Sequence, residues 1–255
     1  MVKVLMHGCS GHMGQVVTGI AAADENVEIV AGVDPFDSGK NTYPVYSSME
    51  DFEKNGKEEV DVIIDFSSAK AVDVLLDYCA AHGMPCVLCT TGLSEEQLAK
   101  VKETANSAAV LKSANMSLGI NLLLKLLKDA AGVLAPAGFD IEVVEKHHRR
   151  KLDAPSGTAI ALADSINEEM DNSYTYVFDR STRRQQRDAK EIGLSAVRGG
   201  TIVGEHDVIF AGEDEVITFS HTAYSRNVFA KGAVEAAKFL KGKSEGLYDM
   251  SNVIG

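Results

Sequence analysis

Proline is scarce in this 255-residue chain, with five in all, and cysteine scarcer still, with four. So few prolines, in a composition that is 45% hydrophobic and 24% charged, argue against long disordered, collagenous or mucin-like regions. Positive charge is in deficit too: 25 Lys and Arg against 37 Asp and Glu leave a formal net charge of -12. A chain this acidic lacks the electrostatic footprint of a protein that wraps nucleic acid or lies on an anionic membrane, although a local basic patch stays open. No apolar run reaches the roughly 18 to 20 residues of a membrane helix. The best candidate, residues 118–134, is interrupted by Lys125, Lys128 and Asp129. The first six residues pass straight into a glycine loop, with neither an apolar signal core nor a small-residue cleavage site, so a cytoplasmic location is expected. The cysteines (Cys9, Cys79, Cys86 and Cys89) are too few for a disulfide scaffold. Cys86 and Cys89 match C-x-x-C, but in a strand an offset of three sends the thiols to opposite faces, and no second pair completes a zinc site. No metal is expected.

What is present is a rhythm. At about 150 residues per domain the length allows one large domain or two modest ones. Residues 2–6, 27–33, 60–66, 86–89 and 108–111 are short apolar runs that read as buried parallel strands. Helical spacing fills the intervals at 13–23, 69–82 and 94–107, the last opening on Ser94 and Gln97 as a capping box. Alternating strand and helix predicts a doubly wound α/β sheet. After Asn115 the pattern changes to a long apolar helix over 118–133, a turn at Pro136, Ala137 and Gly138, and a strand from Phe139 to about Lys146. A helix over 156–170 precedes strands at 194–197, 201–210 and 215–221 with no helix between them, so that sheet is antiparallel or mixed. The helix at 227–240 carries Phe229, Ala233, Ala236, Ala237 and Leu240 on one face and can return to cover the first sheet. The expected architecture is a Rossmann-like domain (1–116 plus 227–255) with an inserted α+β domain (117–226). Arg180, Arg183, Arg184 and Arg187 read as a mobile, solvated loop; as a nucleic-acid patch the cluster is weak, because no stacking aromatic lies inside it.

Two stretches carry chemistry. Gly8, Cys9, Ser10, Gly11, His12, Met13 and Gly14 join the first strand to a helix with G-x-x-G-x-x-G spacing, where glycines admit a pyrophosphate close to the backbone and the helix start supplies N–H donors. Asp34 ends the second strand, 20 residues beyond Gly14, where an acid can accept hydrogen bonds from an adenosine ribose. The loops after later strands, at Phe66, Ser67 and Ser68 and at Thr90, Thr91 and Gly92, sit where ligands of such sheets bind. Residues 142–159 join a strand to a helix and hold His147, His148, Arg149, Arg150 and Lys151 ahead of Pro155, Ser156, Gly157 and Thr158. Adjacent histidines in extended chain face opposite ways and chelate one metal poorly. A solvated basic turn is one reading of this stretch. The other is a carboxylate trap, built from the helix-start N–H groups and the nearby cations, with a histidine as proton donor.

The run 142–159 closely resembles the signature of the 4-hydroxy-tetrahydrodipicolinate reductase (dihydrodipicolinate reductase) family. The likeness extends over nearly the whole chain. It takes in the glycine loop, Asp65, Phe66 and Ser67, the Thr90, Thr91, Gly92 loop, Ala114, Asn115, Met116 and Ser117, and the segment from Val197 to His206. The family often has Arg where this chain has His12, and commonly Gly where it has Cys89. The resemblance implies a Rossmann-like cofactor domain, a substrate domain that also builds a homotetramer, and NADH or NADPH as reductant of a small cyclic dicarboxylate. It makes His147 the proton donor and Lys151 the second catalytic group, with His148, Ser156, Gly157 and Thr158 holding substrate. It gives Gly8 to Met13, Asp34, Phe66, Thr90, Thr91 and the Ala114, Asn115, Met116 turn to the cofactor. Asp34, followed by Pro35 and Phe36 with Lys40 the nearest cation, favours NADH at least as much as NADPH. A semialdehyde dehydrogenase would need a nucleophilic cysteine, and a dinucleotide-sensing regulator would need an output module. Neither feature is visible in the sequence.

Overall fold

Val2–His7 (β1) carries the apolar Val2, Val4, Leu5 and Met6 and lies inside a parallel sheet covered on both faces, the setting in which a largely apolar strand is stable. The structure, a computed structural model, describes residues 1–37 and 39–255. His12–Ala21 (α1), Val27–Val33 (β2), Val45–Tyr46 (β3), Met49–Asn55 (α2), Val62–Asp65 (β4), Ala69–His82 (α3), Cys86–Leu88 (β5), Glu95–Thr104 (α4) and Ala109–Leu111 (β6) follow. Local signals set the helix starts. At α4 the Ser94 hydroxyl accepts from the Gln97 backbone N–H (3.3 Å) and the Gln97 side-chain Oε1 accepts from the Ser94 N–H (3.1 Å), which is the expected capping box.

The second architecture comprises Leu118–Leu134 (α5), Asp140–His147 (β7), Gly157–Glu169 (α6), Thr175–Phe178 (β8), Glu191–Arg198 (β9), Gly204–Ala211 (β10) and Val216–Ala223 (β11). The chain then returns through Asn227–Leu240 (α7), Gly246–Tyr248 (β12) and Met250–Ile254 (α8). It divides into two compact units, Met1–Ser117 with Asn227–Gly255, and Leu118–Arg226.

In the first unit the strand order is β12-β6-β5-β4-β1-β2-β3, and every pairing is parallel. The Rossmann-like reading is therefore correct, with two short edge strands, β3 and β12, added to the five expected. Leu5, Ile63 and Leu88 face α2, α3 and α4, meeting Phe52, Val72, Leu75, Leu76 and Val101. The opposite face is covered by α1 and α7, with α7 lying on β1, β4, β5 and β6. Gly232 of α7 is required there, because a Cβ at that position would collide with the Met116 carbonyl.

In the second unit the order is β11-β10-β7-β9-β8. β10 runs antiparallel to β7 and β11, while β7 and β8 run parallel to β9, so the sheet is mixed. Helices α5 and α6 pack on one face, where Leu127, Leu162 and Ile166 meet Ile141, Val143, Val208 and Phe210. The arginine-rich segment is not the free loop the sequence suggests. Arg180 and Arg183 pair with Glu191, Arg180 also with Glu142, and Arg187 with Asp140. Their partners lie on β7, distant in sequence, and at the nearby start of β9.

Candidate active site

The carboxyl ends of β1 and β4 mark the point where the chain leaves the parallel sheet toward opposite faces, the crevice in which doubly wound sheets bind ligands. A fully buried Asp65 fastens these two ends by accepting from His7 Nδ1 (2.8 Å) and from the Ser67 N–H (3.1 Å). Burial alone would raise the Asp65 carboxyl, but His7, Ser67 and Thr90 together outweigh it and hold the group below the usual carboxylate range.

Above that staple the glycine loop is tight for identifiable reasons. Gly8 has φ +82°, and a Cβ there would stand 2.7 Å from the Phe66 carbonyl oxygen; a Cβ at Gly14 would collide with the Gly8 carbonyl. Helix α1 starts after Gly11 with no side-chain cap and no acidic residue in its first turn, so its positive end is open to an anion. Asp34 leans over the loop, accepting from the Ser10 N–H (3.0 Å) and the Phe36 N–H (2.9 Å). Each oxygen keeps capacity for a further donor such as a ribose hydroxyl. Backbone cradle, helix start and acid together fit the pyrophosphate and adenosine ribose of a dinucleotide.

The remaining residues expected around that ligand differ in what they present. The Cys9 thiol is turned into the core against Gly32 and Tyr43, and burial pushes it up to about 11, so only its backbone faces the loop. Ser10 is half-buried, His12 is exposed and Met13 half-buried. Thr90 is buried with its carbonyl accepting from Lys112 Nζ (3.2 Å), and Thr91 is exposed. Ala114 is exposed, Asn115 closes its turn by accepting from the Ser117 N–H (2.8 Å), and Met116 is buried.

In the second unit β7 ends in His147, which is 8% exposed. Alternation along the strand puts Glu145 on the same face, and its carboxylate contacts His147 Nδ1 at 2.6 Å. The loop that follows holds His148, half-buried, and Lys151, whose Nζ pairs with Asp153 at 2.9 Å. The Lys151 ammonium and the Gly157 N–H both hold the Asp153 carboxyl below its usual range. Ser156 caps α6 by accepting from the Ala159 N–H (3.1 Å), and its hydroxyl meets His206 Nε2 at 3.1 Å. Its own N–H donates to Glu145 (2.9 Å). Ser156 thus faces inward at the positive end of α6, where the Gly157 N–H serves Asp153. Asp153 thus joins Lys151 to the start of α6, and Glu145 joins His147 to the same helix start.

A family model of "Dihydrodipicolinate reductase, N-terminus" matches residues 2–116, and one of "Dihydrodipicolinate reductase, C-terminus" matches residues 119–254. The chain belongs to the dihydrodipicolinate reductase family. A 4-hydroxy-tetrahydrodipicolinate reductase of Caldanaerobacter subterraneus is 52% identical, covering 100% of this chain and 98% of that protein. A namesake in Clostridium tetani is 45% identical over 98% of this chain and 96% of its own. Among solved structures, a dipicolinate-bound dihydrodipicolinate reductase of Paenisporosarcina superposes with a TM-score of 0.81 at 26% identity, covering 99% of each chain. A probable dehydrogenase of Thermotoga maritima, at 11% identity and TM-score 0.61, covering 99% of this chain and 92% of its own, shares the fold alone.

Membership in the dihydrodipicolinate reductase family bears out the resemblance read from residues 142–159. The thiols agree with it: all four cysteines are buried and unpaired, and burial raises Cys9 and Cys89, the opposite of an activated nucleophile. Sequence reasoning missed His7, Glu145, Arg198 and His206. Only Glu145 carried a local signal, its offset of two from His147 in a strand.

Proposed function

We propose that this chain reduces 4-hydroxy-tetrahydrodipicolinate to tetrahydrodipicolinate with a nicotinamide dinucleotide, a step of diaminopimelate and lysine biosynthesis carried out in the cytoplasm. The observation that carries the reading is the second unit's convergence of His147, Lys151 and the Gly157, Thr158 helix start, in a chain of this family. The substrate loses water to give a conjugated imine, which takes up hydride at ring C4 and then a proton. When bound, the dinucleotide supplies that hydride. The protein's own residues orient and neutralise. Gly157 and Thr158 hold one ring carboxylate, with His148 beside it, and Lys151 exchanges Asp153 for that carboxylate. His147 returns the proton to the electron-rich intermediate.

The first unit cradles the pyrophosphate on Gly8 to Met13 and the adenosine ribose on Asp34, with Phe66, Thr90, Thr91 and the 114–116 turn toward the nicotinamide half. NADH serves at least as well as NADPH. The working state is a homotetramer: the face of the mixed sheet opposite α5 and α6 leaves Val197 and Val216 exposed, and sheet packing against another copy covers it. The test follows dinucleotide absorbance with enzymatically made 4-hydroxy-tetrahydrodipicolinate. His147→Gln should lower turnover by about 10² to 10⁴ while dinucleotide affinity holds. Near-normal turnover would overturn the assignment.

A further inference from the structure

Glu145 is fully buried, and its four contacts come from three residues in three separate places of the second unit. Oε2 meets His147 Nδ1 at 2.6 Å and accepts from Arg198 Nη1 at 2.7 Å; Oε1 accepts from Arg198 Nη2 at 2.6 Å and from the Ser156 N–H at 2.9 Å. The guanidinium is itself aimed, donating to the Asp153 carbonyl at 2.7 Å. Burial would raise the Glu145 carboxyl, but Arg198, His147 and the Ser156 N–H outweigh it and keep the group ionised. An ionised carboxylate only accepts. The nitrogen of His147 that faces it must therefore carry the hydrogen, and the lone pair or second hydrogen belongs to Nε2. Nε2 is directed at Gly204, where a Cβ would stand 3.1 Å away, and the His206 ring lies edge-on to the imidazole at 5.1 Å between centroids.

We infer that Glu145, clamped by Arg198, is a positioning residue that fixes His147 as the Nδ1–H tautomer and presents Nε2 as the only nitrogen able to exchange a proton with a ligand. The arrangement does two things. It holds the ring angle from the strand below, because Glu145 is anchored to β9 through Arg198 and to the start of α6 through Ser156. It also divides the charge between two partners: the carboxylate favours the imidazolium, and the guanidinium beside it limits that effect. The charged and titratable groups around the ring are Glu145 on β7, Arg198 on β9, His206 on β10 and Lys151 on the loop, with Asp153 beyond Lys151 and Arg198, and His221 of β11 beyond His206. The catalytic consequence rests on the role proposed above for His147; the tautomer and its charge coupling do not.

The experiment is a pH titration of the full-length protein labelled with ¹⁵N-histidine, the His147 signals being identified by their loss in His147→Gln. In the natural protein Nδ1 should carry a hydrogen throughout the titration, and Nε2 should be the nitrogen that gains or loses one. Glu145→Gln should lower the proton affinity of His147 tenfold or more, and Arg198→Gln should raise it, since each removes one of two opposing charges. Loosening of structure alone would move both variants the same way. The alkaline limb of the kcat profile, where a proton donor is lost, should follow the same two directions while the KM for dinucleotide stays put. Glu145→Asp, which keeps the charge, should restore the direction of the natural titration. A His147 found protonated at Nε2 and bare at Nδ1 in the natural protein would overturn the inference without any variant, as would equal shifts in Glu145→Gln and Arg198→Gln. If opposite shifts appear while His147→Gln retains turnover, the positioning holds and the proposed role of His147 is what fails.

Discussion

Replacing Asp34 by Asn tests the dinucleotide site most directly, because the structure shows which charge changes and what surrounds it. The Asp34 carboxylate is held over the glycine loop by the Ser10 and Phe36 N–H groups, so it cannot swing away from a ligand without leaving both donors unmet. A 2′-phosphate, with a charge near −1.5 to −2, would approach it to about 5 Å. With an effective dielectric of about 40 to 80, suited to a half-exposed site, each unit of charge costs about 0.8 to 1.7 kcal/mol, so the gross repulsion is about 1 to 3 kcal/mol. Phe36 is 80% exposed and contributes no cation. Lys40 is exposed, and a flexible ammonium offsets part of the repulsion after an ordering cost. The balance runs from parity to a preference for NADH of roughly twentyfold, taking tenfold as about 1.4 kcal/mol. Asp34→Asn removes the repulsion and weakens the ribose contacts, so the ratio of kcat/KM for NADPH over NADH should rise at least tenfold. Steady-state kinetics with both dinucleotides decide the matter. A tenfold preference for NADPH in the natural protein, or a ratio that Asp34→Asn leaves unchanged, refutes the reasoning.

Stability should fall on mild acidification. Burial, with His147 beside it, depresses His206 to about 4, and burial also lowers His221, so the unfolded chain takes up protons near 6.5 that the folded chain refuses. The stability present above pH 6.5 is lost as the pH falls toward 4, by about 3 kcal/mol for His206. Chemical denaturation at a series of pH values should show that slope in the natural protein and a shallower one in His206→Gln; identical curves would remove the assignment. Gly232→Ala should destabilise by about 1 to 3 kcal/mol, because α7 must shift off the Met116 carbonyl, although the same change in an open helix would stabilise by up to about 1 kcal/mol. A thermal midpoint that held or rose would show the close approach to be unimportant. Light scattering at micromolar concentration should give four times the chain mass, and a monomer mass would refute the sheet-packing argument.

The elements legible in the sequence are those whose burial leaves a linear trace. β1, β2, β4, β5 and β6 are covered on both faces and read as apolar runs, and the Ser94 and Gln97 pair announced α4. Edge strands β3 and β12 have two and three residues, too few for any period to emerge. β9 begins at a buried Glu191, three residues before the expected start, because Arg180 and Arg183 neutralise a charge that reads as surface in isolation. The site divides in the same way. His147, Lys151, Gly157 and Thr158 lie within one strand, loop and helix start and could be read together. His7 meets Asp65, and Glu145 meets Arg198, only through strand register, in pairs separated by 58 and 53 positions. Ser156 was legible as a helix start, but the meeting of its hydroxyl with His206, 50 positions away, was not.

The return of α7 and β12 to the first sheet has a bearing on how the protein is made. Val62, Ile64 and Val87 alternate with the side chains that face α2, α3 and α4, so they point toward the face that α7 covers. That cover leaves the ribosome only after Leu118–Arg226 has been synthesised. The nascent first unit therefore waits with an apolar sheet face bare and β6 lacking its β12 neighbour, while the inserted unit, continuous in sequence, can complete its own core first. A message truncated just before the codons of α7 would release a chain with the inserted unit intact and an adhesive half-sheet attached to it, a natural client for chaperones and proteases.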